Sequence, residues 1–312
     1  MKAALLKIFL KGSLFFGAWP IRFFAWWIAT MYFFFRSSRR RASIHLYRVI
    51  FPQKSPWYYL YCTWRQFHSF AATYADRVEL DAKKEGGVAV QGDEGIIEAG
   101  QKGTGGIILM SHLGSYEIAA LAFQERGLKH LIIMGEKEAK QVPRDQREAL
   151  KDRGVYIQVA TGQEDSLLGG LEAIRFIREG GFVSLPGDLV WTDPRSRLLV
   201  RIFGREADLP VGPHLLAQMS GAPLFTLFSF RVKRGKYQIL ISPPRMVKAS
   251  SRSERNKAIQ ASAQSYANAL EEIVRRQPFQ WYIFEPFFRS ALPEERKPDS
   301  VHSASNRGEN RG

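Results

Sequence analysis

The chain has 312 residues, 45% of them hydrophobic and 24% charged, which is the balance of a folded protein able to bury a real core. Its 45 Lys and Arg against 30 Asp and Glu leave a formal net charge of +15. That excess points to a polyanionic partner, either nucleic acid or anionic lipid. One cysteine, Cys62, excludes an intrachain disulfide and a cysteine-based zinc site.

Aromatic residues make up 13% of the chain and crowd its N-terminal quarter, which turns the choice of polyanion toward lipid. Ser13 to Phe35 is a stretch of apolar and aromatic residues broken by one charge, Arg22. Roughly 20 apolar residues span a bilayer core, so this stretch predicts a membrane helix, kinked at Pro20. Arg22 opposes insertion by about 2.5–3.5 kcal/mol, a term the surrounding Phe and Trp can outweigh. A helix lying in the interface is the competing reading. A cleaved leader fits less well, because Arg36, Arg39, Arg40 and Arg41 follow where a small-residue cleavage site would stand. Lys2, Lys7 and Lys11 lie before the helix and Arg36 to Arg48 after it, so the larger positive flank and the main domain are expected on the cytoplasmic side. The expected organisation is an anchor over 1–38, a folded domain over 39–290, and a disordered Ser-, Glu- and Arg-rich tail over 291–312.

Residues 39–80 read as two helices split by Pro52 and Pro56. Tyr58, Tyr61, Trp64, Phe67, Phe70 and Tyr74 recur at helical spacing, a stripe read as a core face, with a membrane-facing stripe as the alternative. Apolar runs at 106–110, 131–135 and 182–186 and an alternating run at 155–159 predict strands. Helical patterns at 114–126, 142–153 and 165–179 separate them, with Asp165 as an N-cap. This alternation predicts an α/β fold, a central mixed, largely parallel sheet flanked by helices. Runs at 223–232 and 236–243, joined by Lys233-Arg234-Gly235, predict a hairpin. A last helix, capped by Ser251 and Glu254, is expected up to Arg276, with Ile259, Ala263, Tyr266, Leu270 and Ile273 on its buried face.

Chemistry concentrates in Ile107-Ile-Leu-Met-Ser-His-Leu-Gly-Ser-Tyr-Glu117. A buried strand ends at Ser111 and a helix begins near Gly114, so His112 falls at a strand's C-terminal tip, where open α/β sheets bind ligands. Glu117 stands in the first turn of the following helix and is placed to fold back. A neutral imidazole accepts a proton near pH 7, and a carboxylate on its other nitrogen fixes the tautomer and stabilises the imidazolium. The helix N-terminus offers amides for a developing oxyanion. Spacing alone is equally met by a surface histidine beside a capping glutamate.

Ser111-His-Leu-Gly-Ser-Tyr-Glu117 resembles the H-x4-D/E motif of the lysophospholipid acyltransferase superfamily, most of all its late acyltransferases of lipid A biosynthesis, the lauroyl and myristoyl transferases. Ser184-Leu-Pro-Gly-Asp188 resembles that family's strand ending in Pro-Asp-Gln, with Leu189 in place of Gln. Val200-Arg-Ile-Phe-Gly204 and Pro213 to Pro223 resemble later segments, so the likeness covers about residues 40 to 290 in order. It implies a glycerolipid acyltransferase-like fold and acyl transfer without a covalent enzyme intermediate, with His112 as general base and Glu117 as its partner. It further implies an acyl carrier protein or acyl-CoA donor, a lipid acceptor, no cofactor, and a place at the bacterial inner membrane. Basic residues after the second strand hold phosphate in that family. Lys137, Arg144, Arg147 and Arg153 are the candidates, Arg147 and Arg153 foremost, with a solvated helix face as the plain alternative. The family's terminal Trp-x-x-x-Arg-Arg is replaced by Phe279-Gln-Trp-Tyr-Ile-Phe-Glu-Pro-Phe-Phe-Arg289, which leaves the acceptor open among a lipid A precursor, an aminolipid, a glycolipid and a lysophospholipid.

Asp188 is read either as a substrate-binding residue facing the site or as a loop cap, and His214 as structural. No histidines show metal-ligand spacing, and no Gly-x-Ser-x-Gly, P-loop or dinucleotide fingerprint occurs. Two further functions compete: a basic protein binding an anionic surface, with nucleic acid disfavoured by the apolar setting of the aromatics, and a non-catalytic membrane scaffold that keeps the fold.

Overall fold

The computed structural model describes residues 19–83, 87–135, 139, 142, 144–152, 154–160, 163–190 and 196–289. Three helices lead: α1 (Trp19–Phe35), α2 (Ser37–Ile50) and α3 (Pro56–Lys83). The break between α2 and α3 falls at Pro52 and Pro56, as expected. It is closed by Tyr59, whose hydroxyl donates to Phe51 O at 3.1 Å and accepts from Lys54 N at 3.0 Å.

The α/β part follows as β1 (Gly87–Gln91), α4 (Glu94–Gln101), β2 (Gly106–Met110), α5 (Tyr116–Glu125), β3 (His130–Gly135), α6 (Arg144–Lys151), β4 (Val155–Ala160), α7 (Gln163–Arg178) and β5 (Phe182–Pro186). Then come β6 (Arg197–Ile202), β7 (Arg205–Pro210), α8 (Gly212–Ser220), β8 (Leu224–Lys233), β9 (Lys236–Ile241) and α9 (Arg255–Arg276). Seven strands form one sheet in the order β1-β9-β8-β2-β5-β3-β4. All neighbours are parallel except the hairpin β8–β9. The expected mixed, largely parallel sheet is therefore present. Its central strand β2 is buried throughout, as a strand covered on both faces must be.

The pleat divides the core. Ile107, Leu109, Val183 and Leu131 point to one layer with Tyr266, Leu270 and Ile273 of α9. Ile108, Met110, Phe182, Ile132 and Met134 point to the other, with Ile96 and Phe123 of α4 and α5. Each such side chain contributes about 1.5–3 kcal/mol by leaving water. The last helix, expected from about Ser251, starts at Arg255 with Glu254 at its N-cap; of the expected capping box only the bond from Glu254 N to Ser251 Oγ, at 3.3 Å, is present among the described contacts. Strand β1, helix α4 and the separate hairpin β6–β7 lie where no element was expected. They are short, and β6 and β7 carry charged, exposed residues that mask alternation.

The expected membrane span is not found among the described residues. Among the described residues no helix is long and apolar enough to cross a membrane. Residues 13–18 of the expected span lie outside the described residues; the remainder, Trp19–Phe35, forms α1. One face of α1 packs on α3 through Trp26 against Trp64, Phe33 against Phe67, and Thr30 against His68. Arg22, the awkward charge of the apolar stretch, is paired to Asp76 of α3. Asp76 is fully buried and also accepts from Arg231 Nε at 2.6 Å, Gly235 N at 3.0 Å and Tyr237 Oη at 3.3 Å. Burial pushes its pKa up, but the hydrogen bonds from Arg231, Gly235 and Arg22 outweigh burial and hold it below the ordinary carboxylate value. Arg22 thus ties α1 to α3 and, through Asp76, to the β8–β9 hairpin.

The rest of α1 is uncovered: Trp19, Phe23, Phe24, Trp27, Ile28, Phe34 and Phe35 are exposed. The stripe on α3 is split rather than wholly core. Phe67 is buried, while Tyr61, Phe70 and Tyr74 are exposed. The anchor's first residues and the tail 291–312 lie outside the described residues.

Candidate active site

Strands β2 and β5 are parallel neighbours, and Met110 pairs with Pro186 at their C-terminal ends. His112 follows the first strand by two residues and Asp188 follows the second by two, so register brings the two side chains together. Asp188 Oδ1 lies 2.8 Å from His112 Nδ1, and Oδ2 accepts the His112 amide at 2.7 Å. Asp188 is fully buried, whereas the imidazole keeps one fifth of its surface exposed. A carboxylate accepts and does not donate, so this contact favours the tautomer with the proton on Nδ1.

The turn holding His112 is clamped from two sides. On one side, Tyr282 N donates to His112 O and Gly114 N donates to Gln280 O, each at 2.8 Å, with Leu113 bridged to Trp281. On the other, Ser115 N donates to Ser229 O of β8 at 3.1 Å. Gly114 has φ +69°, and any Cβ there would collide with the Ser229 carbonyl. Only glycine meets both demands at once. Gly187 is just as confined: a Cβ would come within 2.7 Å of both Leu109 and Tyr266. The glycines at 114 and 187 therefore let the two strand tips approach their packing partners.

Helix α5 begins at Tyr116, directly beyond the turn. The amides of His112, Gly114 and Ser115 are already committed to Asp188, Gln280 and Ser229. Glu117 lies in that turn, as expected; its side chain is outside the described residues.

Asp188, read as a residue facing the site or as a loop cap, lies in the site and holds His112. Arg147 turns its guanidinium back onto backbone, donating to Val142 O at 3.1 Å and to Ala139 O. It braces the segment after β3 in this geometry. Lys137, Arg153 and the side chain of Arg144 lie outside the described residues. His214 is buried and bonded to Ser262 Oγ at 2.9 Å, in agreement with a structural role. Burial brings the pKa of His214 and of His130 down to about 4, so both are neutral in the folded chain.

Sequence reasoning missed Trp281. Its buried indole Nε1 donates to Asp188 Oδ2 at 2.9 Å. The only signal was one more tryptophan in an aromatic run. Tyr282 beside it is anchored on α3, its hydroxyl 3.0 Å from both Ser69 and Thr73, and burial raises its pKa to about 12.

The model of the family described as bacterial lipid A biosynthesis acyltransferase matches residues 5–290. No curated protein matches the chain. Members of this family are membrane-associated bacterial enzymes, and the family implies an acyl donor and a lipid acceptor. With the family matched over nearly the whole chain and an imidazole–carboxylate pair at the strand tips where ligands bind, the protein belongs to the bacterial lipid A biosynthesis acyltransferase family and is an acyltransferase.

Proposed function

We propose that this enzyme moves a fatty acyl chain from an acyl thioester, carried by acyl carrier protein or CoA, to a hydroxyl or amine of a membrane lipid such as a lipid A precursor. The observation that carries the reading is the bond from His112 Nδ1 to the buried Asp188. In the reaction, Nε2 of His112 takes the proton from the acceptor as its oxygen or nitrogen attacks the thioester carbonyl. Asp188 holds the ring and balances the imidazolium. The new C–O or C–N bond forms, the C–S bond breaks, and the imidazolium returns the proton to the departing thiolate. First-turn amides of α5, at the positive end of the helix, support the oxyanion. Glu117, the motif's own carboxylate, completes the base, and Lys137, Arg147 and Arg153 are proposed to hold donor or acceptor phosphate.

We place the enzyme on the cytoplasmic face of the inner membrane, with α1 lying in the interface. The uncovered Trp and Phe of α1 and the run Arg36, Arg39, Arg40 and Arg41 support this. The same positive charge suits an acidic carrier protein.

The test uses the full chain in detergent with acyl carrier protein thioester, CoA thioester and a panel of lipid acceptors. One acceptor should be acylated, and His112→Ala should abolish turnover. Turnover retained in His112→Ala rejects the mechanism; no turnover on any acceptor favours a scaffold.

A further inference from the structure

Asp188 has its two oxygens held by three donors. Two belong to His112, the amide at 2.7 Å and Nδ1 at 2.8 Å; the third is the indole N–H of Trp281 at 2.9 Å, 93 positions further along the chain. Both Asp188 and Trp281 are fully buried, so water does not replace a lost donor. Without the indole, the oxygen that faces Trp281 keeps, among the described residues, the His112 amide alone, and the carboxylate is less constrained about its last torsion.

Trp281 is itself fixed at both ends. Its carbonyl accepts from Gln66 of α3, and Gln66 accepts from Ser43 of α2. Its neighbours Gln280 and Tyr282 are the residues whose main chain clamps the histidine turn. One short segment therefore holds the backbone of the base from one side and the carboxylate behind the base from the other.

We propose that Trp281 is a positioning residue for acyl transfer: its indole N–H aims the Asp188 carboxylate and, through it, sets the tautomer and direction of the His112 ring. It touches no reacting atom and acts only through Asp188. The claim rests on the reading of His112 as the base.

The full-length enzyme in detergent provides the test, with Trp281→Phe and with β-(3-benzothienyl)alanine at position 281. The second replaces the N–H by sulfur at nearly the same shape, so packing is kept if the phenylalanine variant folds poorly. Thermal unfolding confirms the fold of each. In both, kcat should fall about 10- to 100-fold, as expected for loss of a hydrogen bond to a charged group, with KM within about twofold. Trp281→Phe should add nothing to Asp188→Asn, because the two act as one unit. The Nδ1–H proton of His112, assigned by its absence in His112→Gln, should shift or vanish in the NMR spectrum of both variants. Wild-type kcat in the folded thienyl variant, or losses that multiply with Asp188→Asn, would overturn the proposal. So would an unmoved Nδ1–H signal, a readout that needs no turnover and therefore separates this claim from the proposed activity.

Discussion

His112 and Asp188 occupy equivalent places on adjacent parallel strands. Each stands two residues past a residue of the Met110–Pro186 pair, and their side chains meet at 2.8 Å. The geometry follows from sheet register: in-phase parallel strands put the same offset at the same height. Asp188→Asn keeps that geometry but favours the wrong histidine tautomer, because the amide presents a donor as well as an acceptor. We expect kcat to fall about 10²- to 10⁴-fold with the fold intact, read from steady-state kinetics and circular dichroism.

The Arg22–Asp76–Arg231 cluster should govern acid stability. Asp76 has a folded pKa below its unfolded value. Its contribution is therefore fully present above the unfolded carboxylate range, about 3.9, and is lost as pH falls through the lower folded value. Asp76→Asn should lower stability at pH 7 by up to about 3 kcal/mol, since it removes the charge that balances two partly buried guanidinium groups. It should also remove that part of the acid dependence. Urea unfolding across pH measures both effects.

His130 and His214 are kept uncharged and act in the same direction at higher pH. Each is held neutral, with a folded pKa of about 4 against about 6.5 when unfolded. Between those values the unfolded chain binds the extra protons, so stability falls as pH drops from 6.5 toward 4. Each group contributes about 3 kcal/mol of that loss by pH 4. His214→Gln should flatten the decline in Tm over this window. An unchanged slope would show that the ring is reached by water.

The uncovered aromatic face of α1 should bind bilayers. Trp27 is exposed and meets the rings of Phe23 and Trp26 on its own helix, while Trp64 and Phe67 of α3 pack on Trp26 and Phe33. Trp27→Glu should lower partitioning onto anionic vesicles about tenfold or more, with the Tm shifted little. Co-sedimentation measures the first and differential scanning the second. Equal partitioning would move the lipid contact elsewhere on the surface.

Much of this was legible along the chain. The run GIILM, bounded by glycine and followed by Ser-His, identifies a buried strand with an imidazole at its tip, because a strand covered on both faces must be apolar throughout. The helix and strand alternation led to the parallel sheet for the same reason. Strand β1 and the hairpin β6–β7 were illegible: β1 is short and mostly exposed, and the hairpin strands place only two buried residues each, Val200 and Ile202 against Ala207 and Leu209, too few to set a clear period.

Local pattern thus determined the kind of fold, the family likeness and the place of His112. Tertiary structure alone decided which groups meet it. The carboxylate on Nδ1 is 76 residues from His112, the indole behind it is 93 residues from Asp188, and the acid that accommodates Arg22 is 54 residues away. Nothing in periodicity or spacing links such positions. They are joined by strand register and by the burial of charge, which is tolerable only where a distant part of the chain supplies the matching partner.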